Sequence, residues 1–249
     1  MTQILHSEPT VTNLISANGS ESPADKALAA RFAPIIRFDA REPFLPLAVG
    51  YTIFRTGGDS LSFSRRIELT PAALAIEYAI WWDWDIEHLY ELEHVWVYID
   101  AAENVIRAEA SWHGAARTMA VDGVLPLTGP RVTLFSEPGK HAFAPECDWL
   151  DQRRSKTHQL CTKQAGLGGV WVTPLFDGII DVKTPQADRL VHTYLAHYAF
   201  EPAMDFTQLY CPPPETIVPW PALFHWIPRR VAWWVSKLEQ TFLERNTSQ

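Results

Sequence analysis

The chain has 249 residues, 47% of them hydrophobic, which is enough for one large all-β or α+β domain with a full core and excludes global disorder. A net charge of -8, with basic residues only in pairs such as Arg65-Arg66, Arg153-Arg154 and Arg229-Arg230, excludes an electrostatic nucleic-acid footprint. Three widely spaced cysteines, Cys147, Cys161 and Cys211, argue against a disulfide framework and for a reducing, cytoplasmic setting.

The first 26 residues have neither a basic nor an apolar region of the kind found in a secretory leader, and no apolar run of 18 residues exists. Residues 1–21 read as a loose polar tail, and residues 22–249 as a single domain. Ser22-Pro23-Ala24-Asp25 carries the signals of a helix start, and that helix runs to about Phe32. Short extended segments follow at 34–38 and 46–54. Thr56-Gly57-Gly58-Asp59 forms a hairpin turn leading into a strand over 61–69. Strands are expected over 73–82, 89–99 and 105–112, with short ones at 132–135 and 170–172.

Residues 136–169 contain Gly, Pro and charges, and read as a long functional or mobile loop. Within it, Gly166-Leu167-Gly168-Gly169 lacks the Lys-Ser/Thr of a phosphate loop and reads as a flexible turn. A helical extension begins near Thr184. A final helix over 228–242 has Val231, Trp234, Val235, Leu238 and Phe242 on one stripe. Trp233, Trp234, Arg229, Arg230 and Lys237 would let that helix rest on a membrane surface, but docking on the sheet is the simpler account of its apolar stripe. The sum is a mainly β (α+β) antiparallel β-sandwich with peripheral N- and C-terminal helices.

The chemistry concentrates at 81–100, WWDWDIEHLYELEHVWVYID. Strand alternation puts Glu91 and Glu93 on one face with Val95 and Val97, and Leu92, His94, Trp96 and Tyr98 on the other. Two like charges at the mouth of a face that valines mark as buried need protons, bases or a cation. His88 lies just before this strand, where a bend can turn its ring toward the same spot. His113 closes the next strand before Gly114, and a Gly-bounded turn at Pro138–Ala142 presents His141.

His88-Leu89-Tyr90-Glu91-Leu92-Glu93 resembles the His-x-x-Asp-x-Glu core of the necrosis-inducing cytolysin-like proteins, whose Gly-His-Arg-His-Asp-Trp-Glu heptapeptide lines a metal cavity in a β-sandwich. Glu93-His94-Val95, His113 and Gly139-Lys140-His141-Ala142 also look like the related vacuolar-sorting-type family. The resemblance covers about residues 75–145. It implies a β-sandwich and a divalent metal site at Asp85, His88, Glu91, Glu93 and His141, with Asp83 as an alternative to Asp85. Glu91 stands for the family's Asp, Glu87 for its Gly and Leu92 for its Trp. The paired cysteines and leader of the cytolysins are missing, so membrane lysis is not implied.

Mg²⁺, Ca²⁺, Mn²⁺, Zn²⁺ and Fe²⁺ all remain open as the metal. The leading expectation is a metal-dependent hydrolase acting on a small-molecule substrate. Glu91 and His113 would handle protons, and Trp82, Trp84 and Trp112 would line an aromatic cleft. The runner-up is a metal-dependent glycan or lipid head-group binding protein without catalysis. A third reading makes the cluster purely structural.

Overall fold

The computed structural model of the chain describes residues 7–16 and 22–247. Two β-sheets face each other. The larger has the strand order Ile217–Pro219, Ala48–Phe54, Leu74–Trp84, His88–Ile99, Val105–Trp112, Ala115–Thr118, and Gly169–Val170 adds to the start of His88–Ile99. The smaller runs Phe143–Ala144, Arg131–Ser136, Ile35–Phe38, Gln208–Tyr210, and Leu127–Thr128 adds to Arg131–Ser136. The sandwich is mainly antiparallel as expected. Three pairings are parallel: Ile35–Phe38 with Arg131–Ser136, Ile217–Pro219 with Ala48–Phe54, and Gly169–Val170 with His88–Ile99.

The two long central strands are buried along nearly their whole length because both faces are covered. Opposite partners in an antiparallel ladder share a face, so the register Trp82↔Glu91, Ile80↔Glu93, Tyr78↔Val95 confirms the alternation read from the sequence. This face looks toward the smaller sheet, where Trp82 meets Phe38 and Phe143. On the opposite face, Trp81 packs against Trp226 of the helix Trp220–Thr247. Arg230 of that helix grips Asp83 through three hydrogen bonds of 2.7–3.2 Å and also holds Glu8. Arg230 and Lys237 lie over the rings of Trp233 and Trp234, so these aromatics dock inward rather than offering a free membrane face. Among the described residues, no helix is long and apolar enough to cross a membrane.

Several elements depart from expectation for identifiable reasons. Part of the presumed tail is a helix, Val11–Ser16, with Leu14 buried; residues 1–6 and 17–21 lie outside the described residues. The strand expected over 61–69 shrinks to Arg66–Ile67, which pairs with Gly58–Asp59. Ser60 Oγ accepts the backbone N–H groups of Phe63 and Ser62, a local turn that competes with the ladder. The 136–169 loop contains the helices Cys147–Asp151 and Arg154–Thr162; the second buries Thr157, Leu160 and Cys161 at helical spacing. The C-terminal helix begins at Trp220, with Pro221 in its first turn, and carries Pro228 in its interior. The region from 184 is not wholly helical, since Gln208–Tyr210 and Ile217–Pro219 join the two sheets.

Candidate metal centre

Residues 85–87 form the tight connection between the two central strands. Three neighbouring backbones fix it: Ile86 N–H donates to Gly139 O (2.8 Å), Gly166 N–H to Ile86 O (2.8 Å) and Gly168 N–H to Glu87 O (2.8 Å). The Gly166–Gly169 turn is thus a clamp on the acidic bend. Gly168 lies so close that an added Cβ would meet Glu87 O at 3.0 Å and His88 Cβ at 3.1 Å.

A regular strand would place His88 and Glu91 on opposite faces, because they are three residues apart. Tyr90 has φ 60, a left-handed conformation that a bulky residue rarely takes, and it breaks the alternation between them. Stacking of its ring on Trp81 and the bond its hydroxyl accepts from Thr173 N–H hold it there. The result is that His88 Nε2 lies 3.8 Å from Glu91 Oε2 and 3.6 Å from Asp85 Oδ1.

The other ring nitrogen has a backbone partner. His88 Nδ1 is 2.9 Å from Tyr90 O. A carbonyl only accepts, so Nδ1 donates to it, and Nε2 is the ring atom that faces the two carboxylates. A ligating histidine is commonly oriented in this way. Ligand atoms of Asp85, His88 and Glu91 all lie within 4.8 Å of one another, a group that could hold a metal ion. The donor set fits a hard divalent cation, and the fully buried Asp85 also has an oxygen, Oδ2, with no hydrogen-bond partner among the described residues.

Lys140, on the loop at 137–141, supplies a cation of its own. Its Nζ is 2.7 Å from Asp85 Oδ1 and 2.9 Å from Glu87 Oε2. Burial disfavours the charge of Asp85, but Lys140, then His88 and His141, outweigh burial and hold its carboxyl below the ordinary value. Burial likewise opposes the charge on Lys140, but Asp85, Glu91 and Glu87 push its pKa upward.

The other expected site residues are placed differently. Glu93 is buried beside the trio rather than in it. Burial, then the Glu91 charge, raises its pKa well above the ordinary range, and the Ser111 hydroxyl donates to its Oε2. His141 is fully buried and stacks on Trp82 at 4.6 Å between ring centroids, while its Nε2 faces Glu42 Oε1 at 3.4 Å. His113 does not join the trio, because its Nε2 lies 2.6 Å from Glu137 Oε2. Glu137 also accepts from Arg153 and Thr157. Burial opposes its charge, but these bonds, that of His113 first, hold its carboxyl below the usual value. The His113-Gly114 pair, with φ 48 and 79, is a two-residue hairpin turn between Val105–Trp112 and Ala115–Thr118.

The aromatic residues expected to line a cleft are placed as follows. Trp82 and Trp84 are buried, Trp84 at the edge of an open groove with Tyr194 and Trp234, and Trp112 packs on Trp149. Beside the trio, Trp171, 49% exposed, stacks on His88 at 5.7 Å between ring centroids. Sequence reasoning missed Lys140 and Trp171. Lys140 immediately precedes His141, and Trp171 lies two residues after Gly169 of the glycine-rich turn; those positions were the available signals.

No protein-family profile matches the chain, and no curated protein matches it. Among solved structures it is similar to NLPPya in complex with mannosamine, at 21% identity and a TM-score of 0.34, over 51% of this chain and 70% of that one. NLPPya in complex with glucosamine gives 20% identity and a TM-score of 0.33 over the same shares, 51% and 70%. Necrosis and ethylene inducing protein 2, from the causal agent of cocoa's witches' broom disease, gives 16% identity and a TM-score of 0.30, over 50% and 68%.

Proposed function

We propose that the chain is a divalent-cation-dependent binding protein for polyhydroxylated ligands, a glycan or a lipid head group. The observation that carries this reading is His88: its Nδ1–H is tied to Tyr90 O, and its Nε2 faces Asp85 at 3.6 Å and Glu91 at 3.8 Å. Two carboxylates with a single imidazole favour Mn²⁺, Ca²⁺ or Mg²⁺ over Zn²⁺, which usually takes more nitrogen or sulfur. When bound, such a cation supplies Lewis acidity and open positions that hydroxyl oxygens can fill. The chain's own residues would fix its place, and the half-exposed Trp171 offers the apolar face of an indole beside it for the C–H face of a sugar ring.

The expected hydrolase loses its assigned proton donor, since His113 is committed to Glu137. Glu93, the other group near the trio, is held by Ser111. The test is calorimetric titration of hexosamine-terminated glycans into the protein with Mn²⁺ or with a chelator. Binding should require the cation, fall at least tenfold in Glu91→Gln, and weaken in Trp171→Ala. Undiminished binding in the chelator overturns the reading.

A further inference from the structure

The ammonium of Lys140 and a divalent cation in the trio would both need Asp85. Oδ1 of that carboxylate already accepts from Lys140 Nζ and from Glu87 N–H, each at 2.7 Å, whereas Oδ2 is buried without a hydrogen-bond partner among the described residues. The lysine is not adventitious. Its side chain is 11% exposed, and Gly139, at φ 68, presents it where any side chain would collide with Ile86 and Cys161. The Gly139 N–H is in turn held by Glu42 Oε2 at 2.7 Å. Glu87, on the same bend, offers the ammonium a second, more exposed seat 2.9 Å away. Besides Asp85 and Glu87, which it contacts, Glu91 also acts on this one ammonium.

We propose that Lys140 is a tethered cation that competes with the divalent ion for Asp85, so that filling the centre is coupled to release of Lys140 from that carboxylate. The inference rests on the reading of Asp85, His88 and Glu91 as a cation site. Two cations on one carboxylate repel each other at this range, and a flexible four-carbon stem can carry the ammonium toward Glu87 and solvent. Lys140 then does two things. It neutralises Asp85 in the empty centre, so folding does not wait for metal. It also sets cation affinity below what the three ligands alone would give.

The test compares wild type, Lys140→Met and a control, Arg66→Met, whose guanidinium pairs with the exposed Asp59 in the segment over 58–67. Mn²⁺ affinity is measured by calorimetry after chelator treatment. Lys140→Met should bind at least tenfold tighter than wild type, and the control should match wild type. In parallel, reductive methylation of wild type is followed by peptide mass spectrometry. Lys140 should resist labelling in chelator and react faster at saturating Mn²⁺.

Equal affinities in Lys140→Met and wild type, or a lysine still protected at saturating Mn²⁺, overturn the competition and leave the cation site standing. Failure of both proteins to bind Mn²⁺ overturns the site reading and the inference with it. If Lys140→Met does not fold even with Mn²⁺ present, the labelling of wild type decides alone.

Discussion

At the scale of single residues, the centre depends on a few backbone positions that ordinary residues would not tolerate. Gly139 combines φ 68 with contacts of 2.8 and 2.9 Å from a built Cβ to Ile86 and Cys161. Gly139→Ala should therefore cost roughly 2–4 kcal/mol, from the left-handed backbone and from the collision in a packed site. Denaturant melts check this, and a change within 0.5 kcal/mol would mean that the 137–141 loop adapts freely. The carboxylates at 91 and 93 were legible in the sequence because alternation is a property of every strand. The convergence of His88 with Glu91 depends on the φ of Tyr90, which the surrounding packing imposes and which a β-prone residue type does not announce. Lys140 was visible only as a neighbour of His141. In the fold the two diverge, the lysine to Asp85 and the histidine to Glu42.

At the scale of elements, the segment over 58–67 folds onto the face of the large sheet opposite the smaller sheet and seals a polar network under Phe63. His94 Nε2–H donates to Ser62 Oγ at 3.0 Å, and the Ser62 hydroxyl donates to Glu77 Oε1. Burial, with help from Arg65, brings the His94 pKa from 6.5 down to about 3. Burial raises the Glu77 pKa against the bonds from Ser62 and Ser60. Burial thus disfavours the charged form of both groups, with opposite consequences.

Because the folded value for His94 lies below the unfolded one, the unfolded chain takes up this proton first. Stability is full above pH 6.5 and is lost as pH falls from 6.5 toward 3, with a slope of at most about 1.4 kcal/mol per pH unit. For Glu77 the folded value lies above the unfolded one, so its contribution is present at low pH and is lost as pH rises through the folded value. Urea melts from pH 4.5 to 7.5 should show a shallower acid slope in His94→Gln. Glu77→Gln should flatten the alkaline side instead. An unchanged acid slope in His94→Gln would assign the acid sensitivity elsewhere. This segment was misread as a strand because the alternation of Leu61, Phe63 and Ile67 is real, but Ser60 Oγ draws the backbone N–H groups of Ser62 and Phe63 into a local turn.

At the scale of the whole molecule, the sandwich was legible because the strands from 74 to 112 carry long periodic patterns, whereas the packing of one sheet on the other was not. That packing decides which histidines meet. The smaller sheet brings His141 against Trp82, and the helix Arg154–Thr162 brings Thr157 to Glu137, drawing Glu137 and His113 into a separate latch. The two clusters can be told apart by linkage between cation binding and global stability. An ion that binds only the folded chain adds about 2.7 kcal/mol at a hundredfold excess over its Kd. In a chain of 249 residues that raises Tm by roughly 5–10 °C. With Lys140 already on Asp85, the chain should fold in chelator and gain this increment with Mn²⁺ or Ca²⁺. Asp85→Asn and Glu91→Gln should lose the increment. His113→Ala should melt lower but keep it, because its partner Glu137 is tied to Arg153 and Thr157 rather than to the centre. A reversed pattern, with the increment lost in His113→Ala and kept in Glu91→Gln, would move the cation to Glu137 and make the trio a lysine-neutralised structural joint.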